Sequence, residues 1–177
     1  AFQSLLAHYR SLYTNTVIAI TGSNGKTIIK EWLYSMLAVD FKVVRSPKSF
    51  NSQIGVPLSL KLLDNSFDVA ILEAGISEPD EMDSLAEMIQ PQIGIFTNIG
   101  DAHQENFNDV KEKVIEKMKL FKNASTIIYC ADKDEIHEEA SRLKAEKFAW
   151  SIAGKGNVAI DVKPQLTQTH INISGKG

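Results

Sequence analysis

Several things are scarce in this sequence, and each scarcity excludes something. A single cysteine in 177 residues, Cys130, leaves no partner for an internal disulfide and points to a reducing compartment. No apolar run approaches the roughly 20 residues needed to span a bilayer. The N-terminus lacks the charged-then-apolar pattern of a secretory leader. A net charge of −3, from 19 basic and 22 acidic residues, shows no basic excess of the kind that marks nucleic-acid binders. With 44% hydrophobic and 23% charged residues, ten glycines and five prolines, the chain is neither disordered nor fibrous in composition. The expectation is a cytoplasmic globular protein with no nucleic-acid and no membrane partner. No repeat, low-complexity tract or linker interrupts it, so residues 1–177 read as one domain with a real core. It opens at Ala1 and closes on SGKG directly after a strand-like run, which reads as a piece of a longer protein. Nothing in the sequence sets an oligomeric state.

What is present is an alternation of apolar runs with helical patterns. VIAI (17–20) enters a glycine-containing turn, and Ile28, Ile29, Trp32, Leu33, Met36 and Leu37 then recur at helical spacing. KVVRS (42–46) reads as a second strand, and IGVPLSLKLL (54–63) as a helix with Pro57 in its first turn. FDVAILEAG (67–75), QIGIFTNIG (92–100), STIIYCA (125–131) and KFAWSI (147–152) read as further strands. Between them lie helical patterns at 78–89, 109–121 and 134–146, the first with acidic residues in its opening turn. FDVAILEAG is apolar almost throughout, as a parallel strand covered on both faces should be. The fold class expected is α/β: a mostly parallel, doubly wound P-loop sheet with helices on both faces. Residues 157–175 alternate apolar and polar side chains instead, which predicts an antiparallel strand pair near the C-terminal edge.

The turn after VIAI reads TGSNGKT, Thr21 to Thr27. A Walker A loop, G-x-x-x-x-G-K-[ST], would place its outer glycine at position 20, where this chain has Ile20. The rest of the chemistry is intact: backbone N–H groups curled around phosphate at a helix N-terminus, with a lysine reaching the terminal phosphates. Gly22 and Gly25 supply the tight turn, Lys26 the charge, and Thr27 a hydroxyl for Mg²⁺. The alternative, an accidental G-K-T in a strand–helix turn, is set aside because strand and helix flank it as the motif requires.

Ligands in open α/β sheets bind beyond the carboxyl ends of the strands, and further polar residues fall there. Glu73 closes VAILEAG, where a metal-binding acid is expected; capping the next turn is the plainer reading. His103 follows QIGIFTNIG, and a lone histidine there is as readily structural as functional. At about 100° per residue, Val110, Val114, Met118 and Phe121 form one stripe, and Lys117 falls on its edge, as does Lys113. Periodicity alone favours a stem on the core with its ammonium in water. Asn51 and Ser52 are an N-cap pair or substrate contacts, Asn98 a base contact or a turn closer, and Asp132 and Asp134 ribose contacts or caps. Cys130, in a strand with no histidine nearby, reads as core.

Taken together these motifs resemble the central, ATP-binding domain of the Mur ligases. The family loop T-G-[ST]-x-G-K-T, which lacks the outer glycine, is matched by Thr21 to Thr27; its E-x-G by Glu73-Ala74-Gly75; and its T-N-x-x-x-x-H by Thr97, Asn98 and His103. The family lysine fourteen residues beyond that histidine corresponds to Lys117. Within the family, SFNSQIGVPLSL (49–60), Ala102-His103 and EKMKLF look most like the branch that adds D-alanyl-D-alanine to UDP-N-acetylmuramoyl-tripeptide, in some bacteria fused to an alanine racemase. Two departures are mild: Ile28 stands where a second threonine is common, and Ser52 where asparagine or threonine is usual.

The resemblance implies ATP held by Thr21, Gly22, Ser23, Asn24, Gly25, Lys26, Thr27 and Asn98, with Asn51 and Ser52 on the substrate side. It implies two Mg²⁺ ions, one on Thr27 and Glu73 and one on His103 and a carbamylated Lys117, with Lys26, His103 and Lys117 as the catalytic residues. The partners implied are ATP and a UDP-muramoyl peptide. The domains that would hold the UDP-sugar and close over ATP lie outside this stretch, so the piece alone is expected to be inactive. A folylpolyglutamate synthetase shares loop and chemistry but not NSQIGVPL. A P-loop GTPase or kinase, or a bare nucleotide-binding module, is the alternative from other classes; a GTPase should carry N-K-x-D, where this chain has ADKD (131–134).

Overall fold

The computed structural model describes residues 2–100, 104–165 and 167–175. Helix α1 (Phe2–Ser11) leads into β1 (Thr16–Thr21), α2 (Lys26–Leu37), β2 (Val43–Arg45), α3 (Gly55–Leu60) and β3 (Val69–Glu73). There follow α4 (Glu81–Ile89), β4 (Ile93–Phe96), α5 (Val110–Met118), β5 (Thr126–Cys130), α6 (Asp134–Arg142), β6 (Glu146–Ser151), β7 (Val158–Pro164) and β8 (Thr169–Gly175). The eight strands form one sheet in the order β2-β3-β1-β4-β5-β6-β7-β8. Every pairing is parallel except that of β7 with β8, as the alternating C-terminal pattern predicts. The chain moves from β1 to one edge and returns to β1's other side at β4. The switch point therefore lies at the carboxyl end of β1, where such sheets place their ligands.

Residues pointing to one face, among them Val17, Ala19, Leu72, Phe96 and Ile127, pack with α1 and α3–α6 into the larger core. On the other face Ile18, Ile20, Val69 and Ile71 pack against α2, the one helix on that cluster among the described residues, through Ile29, Leu33, Tyr34 and Leu37. Half of the apolar set on α2 therefore faces away from the sheet: Ile28, Trp32 and Met36 are 56%, 66% and 61% exposed. Two adjacent apolar stripes run along this helix, and only one can meet the sheet. Position 130 lies on the same thinly covered face, so Cys130 is half-buried rather than in the core, and burial raises its thiol pKa. The hairpin overlaps β6 only at Trp150↔Val158 and Ser151↔Ala159, then runs on beyond it with β8 exposed throughout.

Element ends differ from the sequence pattern by a few residues. The 109–121 pattern becomes α5 followed by a 3-10 turn over Lys119–Phe121, which drops the Phe121 ring onto Gly94; a Cβ there would lie 2.4 Å from it. The helix expected to reach 146 ends at Arg142, because Glu146 is already hydrogen-bonded beside β5.

Helix α1 has no counterpart in the sequence reading. It is fastened by Arg10, 3% exposed, which donates to Ile89 O (2.7 Å), Gln90 O (2.8 Å) and Tyr13 O (2.8 Å). A cation thus sits on the carbonyl end of α4, where the helix dipole favours it, though burial lowers its pKa. Arg10→Ala strands those carbonyls and is expected to cost about 3 kcal/mol. A fall in Tm of about 6–12 °C should follow for a chain of this size, measured by thermal denaturation. An unshifted Tm would show that α1 contributes little.

Candidate active site

Position 20 shows why the outer glycine is dispensable. Ile20 lies inside β1, fully buried and paired in register with both Glu73 and Ile95, so the turn proper is only residues 22–25. Gly22 at φ 139° and Gly25 at φ 81° make that turn, and Gly25 stands at the N-cap of α2. The strand end beside it fixes the loop. Ser23 N donates to Asn98 O (2.9 Å), Asn24 N to Asn98 Oδ1 (3.0 Å), and the Thr97 hydroxyl to Asn24 O (2.7 Å). Ser23 Oγ accepts from Gly100 N (3.0 Å). Asn98 is thus engaged in closing the loop. Thr21 is buried too, with its hydroxyl on Ala74 O (2.8 Å). These two side chains shape the phosphate cradle; the groups free to face an anion belong to residues 22–27.

Lys26 folds back over the loop, donating to Gly22 O (2.7 Å) and Ser23 O (3.2 Å). Burial lowers its pKa, while the Glu73 charge opposes the shift. Behind it, Glu73 is fully buried at the end of β3. Its Oε2 accepts from the Thr27 hydroxyl (3.1 Å) and from Asn51 Nδ2 (3.3 Å), and the Thr27 hydroxyl also contacts Ser49 Oγ (3.2 Å). Glu73 is therefore more than a turn cap. Its Oε1 faces Lys30, 2.9 Å away and equally buried. Lys30 and Ser49 were not singled out from the sequence. Lys30 had a signal there, since it lies three and seven residues before Leu33 and Leu37 on the stripe that meets the sheet.

Thr27 Oγ1 and Glu73 Oε2 form a two-oxygen donor set in contact with the phosphate loop. That fits Mg²⁺, which takes few protein ligands and completes its octahedron with phosphate and water. No cluster of three or more His, Cys, Asp or Glu side chains occurs among the described residues.

Lys117 is 3% exposed, so the snorkelling expected from periodicity is wrong. The core around α5 is deep enough to enclose the whole side chain. It lines a small pocket of about 120 Å³ with Gly22, Ser23, Lys26, Asn51, Ser52 and Gly75. No hydrogen bond or ion pair to Lys117 is found among the described residues. Burial, reinforced by the Lys26 and Lys113 charges, pushes its pKa down to about 8. Lys113, also fully buried, donates to Gly100 O (2.5 Å). His103 lies outside the described residues. Ser52 Oγ accepts from Gly55 N (3.2 Å) at the entry to α3, so it works at least as a turn cap. Asp132 and Asp134 follow the carboxyl end of β5 and are engaged locally: the first accepts from Ile152 N (2.8 Å) and the second pairs with Lys155 (2.7 Å). A cavity of about 600 Å³ lies elsewhere, lined by residues such as Gln90, Pro91 and Lys122 at the amino ends of β4 and β5.

A family model for the Mur ligase middle domain matches residues 20–176. The chain belongs to that family. A UDP-N-acetylmuramoyl-tripeptide–D-alanyl-D-alanine ligase of Borreliella burgdorferi is 43% identical over 103 residues, 58% of this chain and 22% of the relative. The Bacillus subtilis ligase of the same name is 31% identical over 178 residues, covering 99% of this chain and 38% of its own. The MurF ligase of Thermotoga maritima, solved in complex with ADP, superposes with a TM-score of 0.85 at 24% identity, over 98% of this chain and 41% of that one. The apo form of L. casei FPGS shares the fold more distantly, with a TM-score of 0.66 at 11% identity. Membership in the Mur ligase family displaces the GTPase and kinase readings. The chain spans well under half the length of the ligases it matches.

Proposed function

We propose that this chain is the ATP-binding part of an amide ligase that joins D-alanyl-D-alanine to UDP-N-acetylmuramoyl-tripeptide in the cytoplasm. The observation that carries the reading is the convergence of Lys26 and Lys117 on one pocket beside the phosphate loop. A plain nucleotide module has no use for a second buried lysine there.

In the proposed reaction a substrate carboxylate oxygen attacks the γ-phosphorus of ATP. The bond to the bridging oxygen breaks, releasing ADP and leaving an acyl phosphate. The dipeptide's amine then adds to the acyl carbon, loses a proton, and the tetrahedral intermediate expels phosphate. Phosphoryl transfer asks mainly for positioning and charge neutralisation. The N–H groups of Gly25, Lys26 and Thr27, at the start of α2, cradle the phosphates, while those of Ser23 and Asn24 are held by Asn98; Lys26 swings from its own loop carbonyls onto the β- and γ-phosphates. Thr27 and Glu73 would hold one Mg²⁺, and His103 with Lys117 as its carbamate a second; such ions would supply positive charge against that building on the transferred phosphoryl group. Lys117 reaches the carbamate when its neutral amine forms an N–C bond to CO₂ and releases a proton. Asn51 and Ser52 face the acceptor side. The domains that bind the UDP-sugar and close over ATP belong to the remainder of the protein, so this piece alone turns over little or nothing.

Phosphate release by the full-length protein, given ATP, the UDP-muramoyl-tripeptide and D-alanyl-D-alanine, tests the reading. Release should require the dipeptide, and Lys26→Ala should lower it ~100- to 1,000-fold, as loss of a charge-stabilising donor does elsewhere. Release that ignores the dipeptide, or that favours folate and glutamate, would refute the assignment.

A further inference from the structure

Lys30 is an odd residue for a helix–sheet interface. It sits in the second turn of α2, fully buried, on the stripe otherwise filled by Ile29, Leu33 and Leu37. Its ammonium lies 2.9 Å from Glu73 Oε1 and 3.3 Å from Glu31 Oε1. It also donates to Ser46 O (2.9 Å) and to Lys48 O. Burying both members of an ion pair brings little net stability, and a well-packed apolar pair of the same volume often does as well. What such a pair does provide is a fixed orientation.

Two features show what is oriented. First, the two oxygens of Glu73 have different surroundings. Oε1 faces Lys30 off the line of a hydrogen bond and has no hydrogen-bond donor among the described residues. Oε2 faces the Thr27 hydroxyl and the Asn51 amide. Second, Ser46 and Lys48, whose carbonyls Lys30 holds, begin the segment that carries Ser49 and Asn51 to Thr27 and Glu73. Lys48 adopts φ 47°, a left-handed conformation unusual for a side-chain-bearing residue, which its bound carbonyl helps to hold. One ammonium thus braces both the carboxylate and the loop that faces it.

We propose that Lys30 is a positioning residue for the nucleotide-linked metal. By occupying Oε1 and pinning residues 46–48, it leaves Glu73 a single oxygen, Oε2, aimed at Thr27 for a divalent cation. The pair is neutral before nucleotide binds, so the carboxylate alone attracts a cation weakly, and the phosphates must bring the remaining charge. The inference rests on the reading that this loop binds Mg²⁺ with ATP.

Calorimetric titration of the full-length protein with ATP, in Mg²⁺ and separately in EDTA, tests it. Wild type should bind more tightly in Mg²⁺. Lys30→Met should lose at least tenfold of that Mg²⁺-dependent gain while its affinity in EDTA stays within about twofold. Should Lys30→Met fail to fold, Lys30→Gln, which keeps a donor for Ser46 O, should show the same split at smaller size. A full Mg²⁺ gain in the folded variant, or an equal loss with and without Mg²⁺, overturns the positioning role. A wild type with no Mg²⁺-dependent gain overturns the metal reading of the loop itself.

Discussion

Lys117→Met is expected to give a protein that melts higher than wild type and ligates nothing. The side chain is 3% exposed, and burial with the neighbouring Lys26 and Lys113 charges pushes its pKa from 10.5 to about 8. A displacement of that size corresponds to about 3 kcal/mol of destabilisation of the folded state when the lysine is charged. Between pH 8 and 10.5 the unfolded chain binds more protons than the folded one, so wild-type stability rises with pH across that window. The advantage of methionine should be fully present below pH 8, at about 6–12 °C in Tm, and should fade toward pH 10.5. Melting both proteins in bicarbonate-free buffer at several pH values checks it. A gap that fails to narrow as pH rises would mean that lysine charge is not the cause.

Activity should move the other way. With a pKa of about 8, about a tenth of Lys117 is neutral at pH 7, several hundred times the fraction for an ordinary lysine. The neutral amine is the form that reacts with CO₂. Ligation by the full-length enzyme should therefore rise with added bicarbonate below pH 8 and fall by ~1,000-fold or more in Lys117→Met, which forms no carbamate. An active methionine variant would leave the buried lysine a structural oddity.

Gly22→Ala is expected to disable the loop by a different route. A Cβ at that position would lie 2.0 Å from Thr97 Oγ1, 2.9 Å from Asn98 O and 3.0 Å from Asn98 N. The backbone there, at φ 139°, is also one that side-chain-bearing residues avoid. Thr97 must move, which removes the donor from Asn24 O, and the contact of Ser23 N with Asn98 O must stretch. Overpacking and strain together should cost about 3 kcal/mol, and ATP affinity should fall at least 100-fold. Gly25→Ala is the control: its φ is 81°, but a Cβ meets nothing within 4 Å. It should cost only the left-handed penalty, about 1 kcal/mol. Denaturant unfolding and ATP titration of the two variants compare them directly. Equal losses would refute the steric argument.

Much of the site was legible because it is local. A strand, a glycine turn and a helix N-terminus follow one another along the chain, so Lys26 and Thr27 are placed by neighbours within a few residues. Glu73 was legible because an apolar strand in a parallel sheet ends at the same edge as β1. The sequence also carried an antiparallel pair at its end, since alternation of apolar and polar residues marks strands with two unlike faces, as edge hairpins have.

Other features depended on what lies across the fold. The pattern on α2 offers two apolar stripes, Ile28-Trp32-Met36 and Ile29-Leu33-Leu37, and helical spacing alone admits either as the face that meets the sheet. Only the sheet's position under one of them leaves the other in solvent and carries Lys30 into the interior opposite Glu73. Whether a lysine on a stripe's edge snorkels depends on the depth of the neighbouring elements, and for Lys117 they enclose it. Helix α1 shows no strong pattern of its own; it is held by Arg10 reaching carbonyls nearly eighty residues away. The sequence by itself determined the order of strands and helices from β1 onward, the phosphate loop and the acid at the end of β3, because short-range geometry and periodicity suffice for these. The tertiary structure decided which polar side chains are buried, which oxygen of Glu73 faces which cation, and that Lys26 and Lys117 share one pocket. Burial and pairing are properties of surfaces brought together from distant parts of the chain.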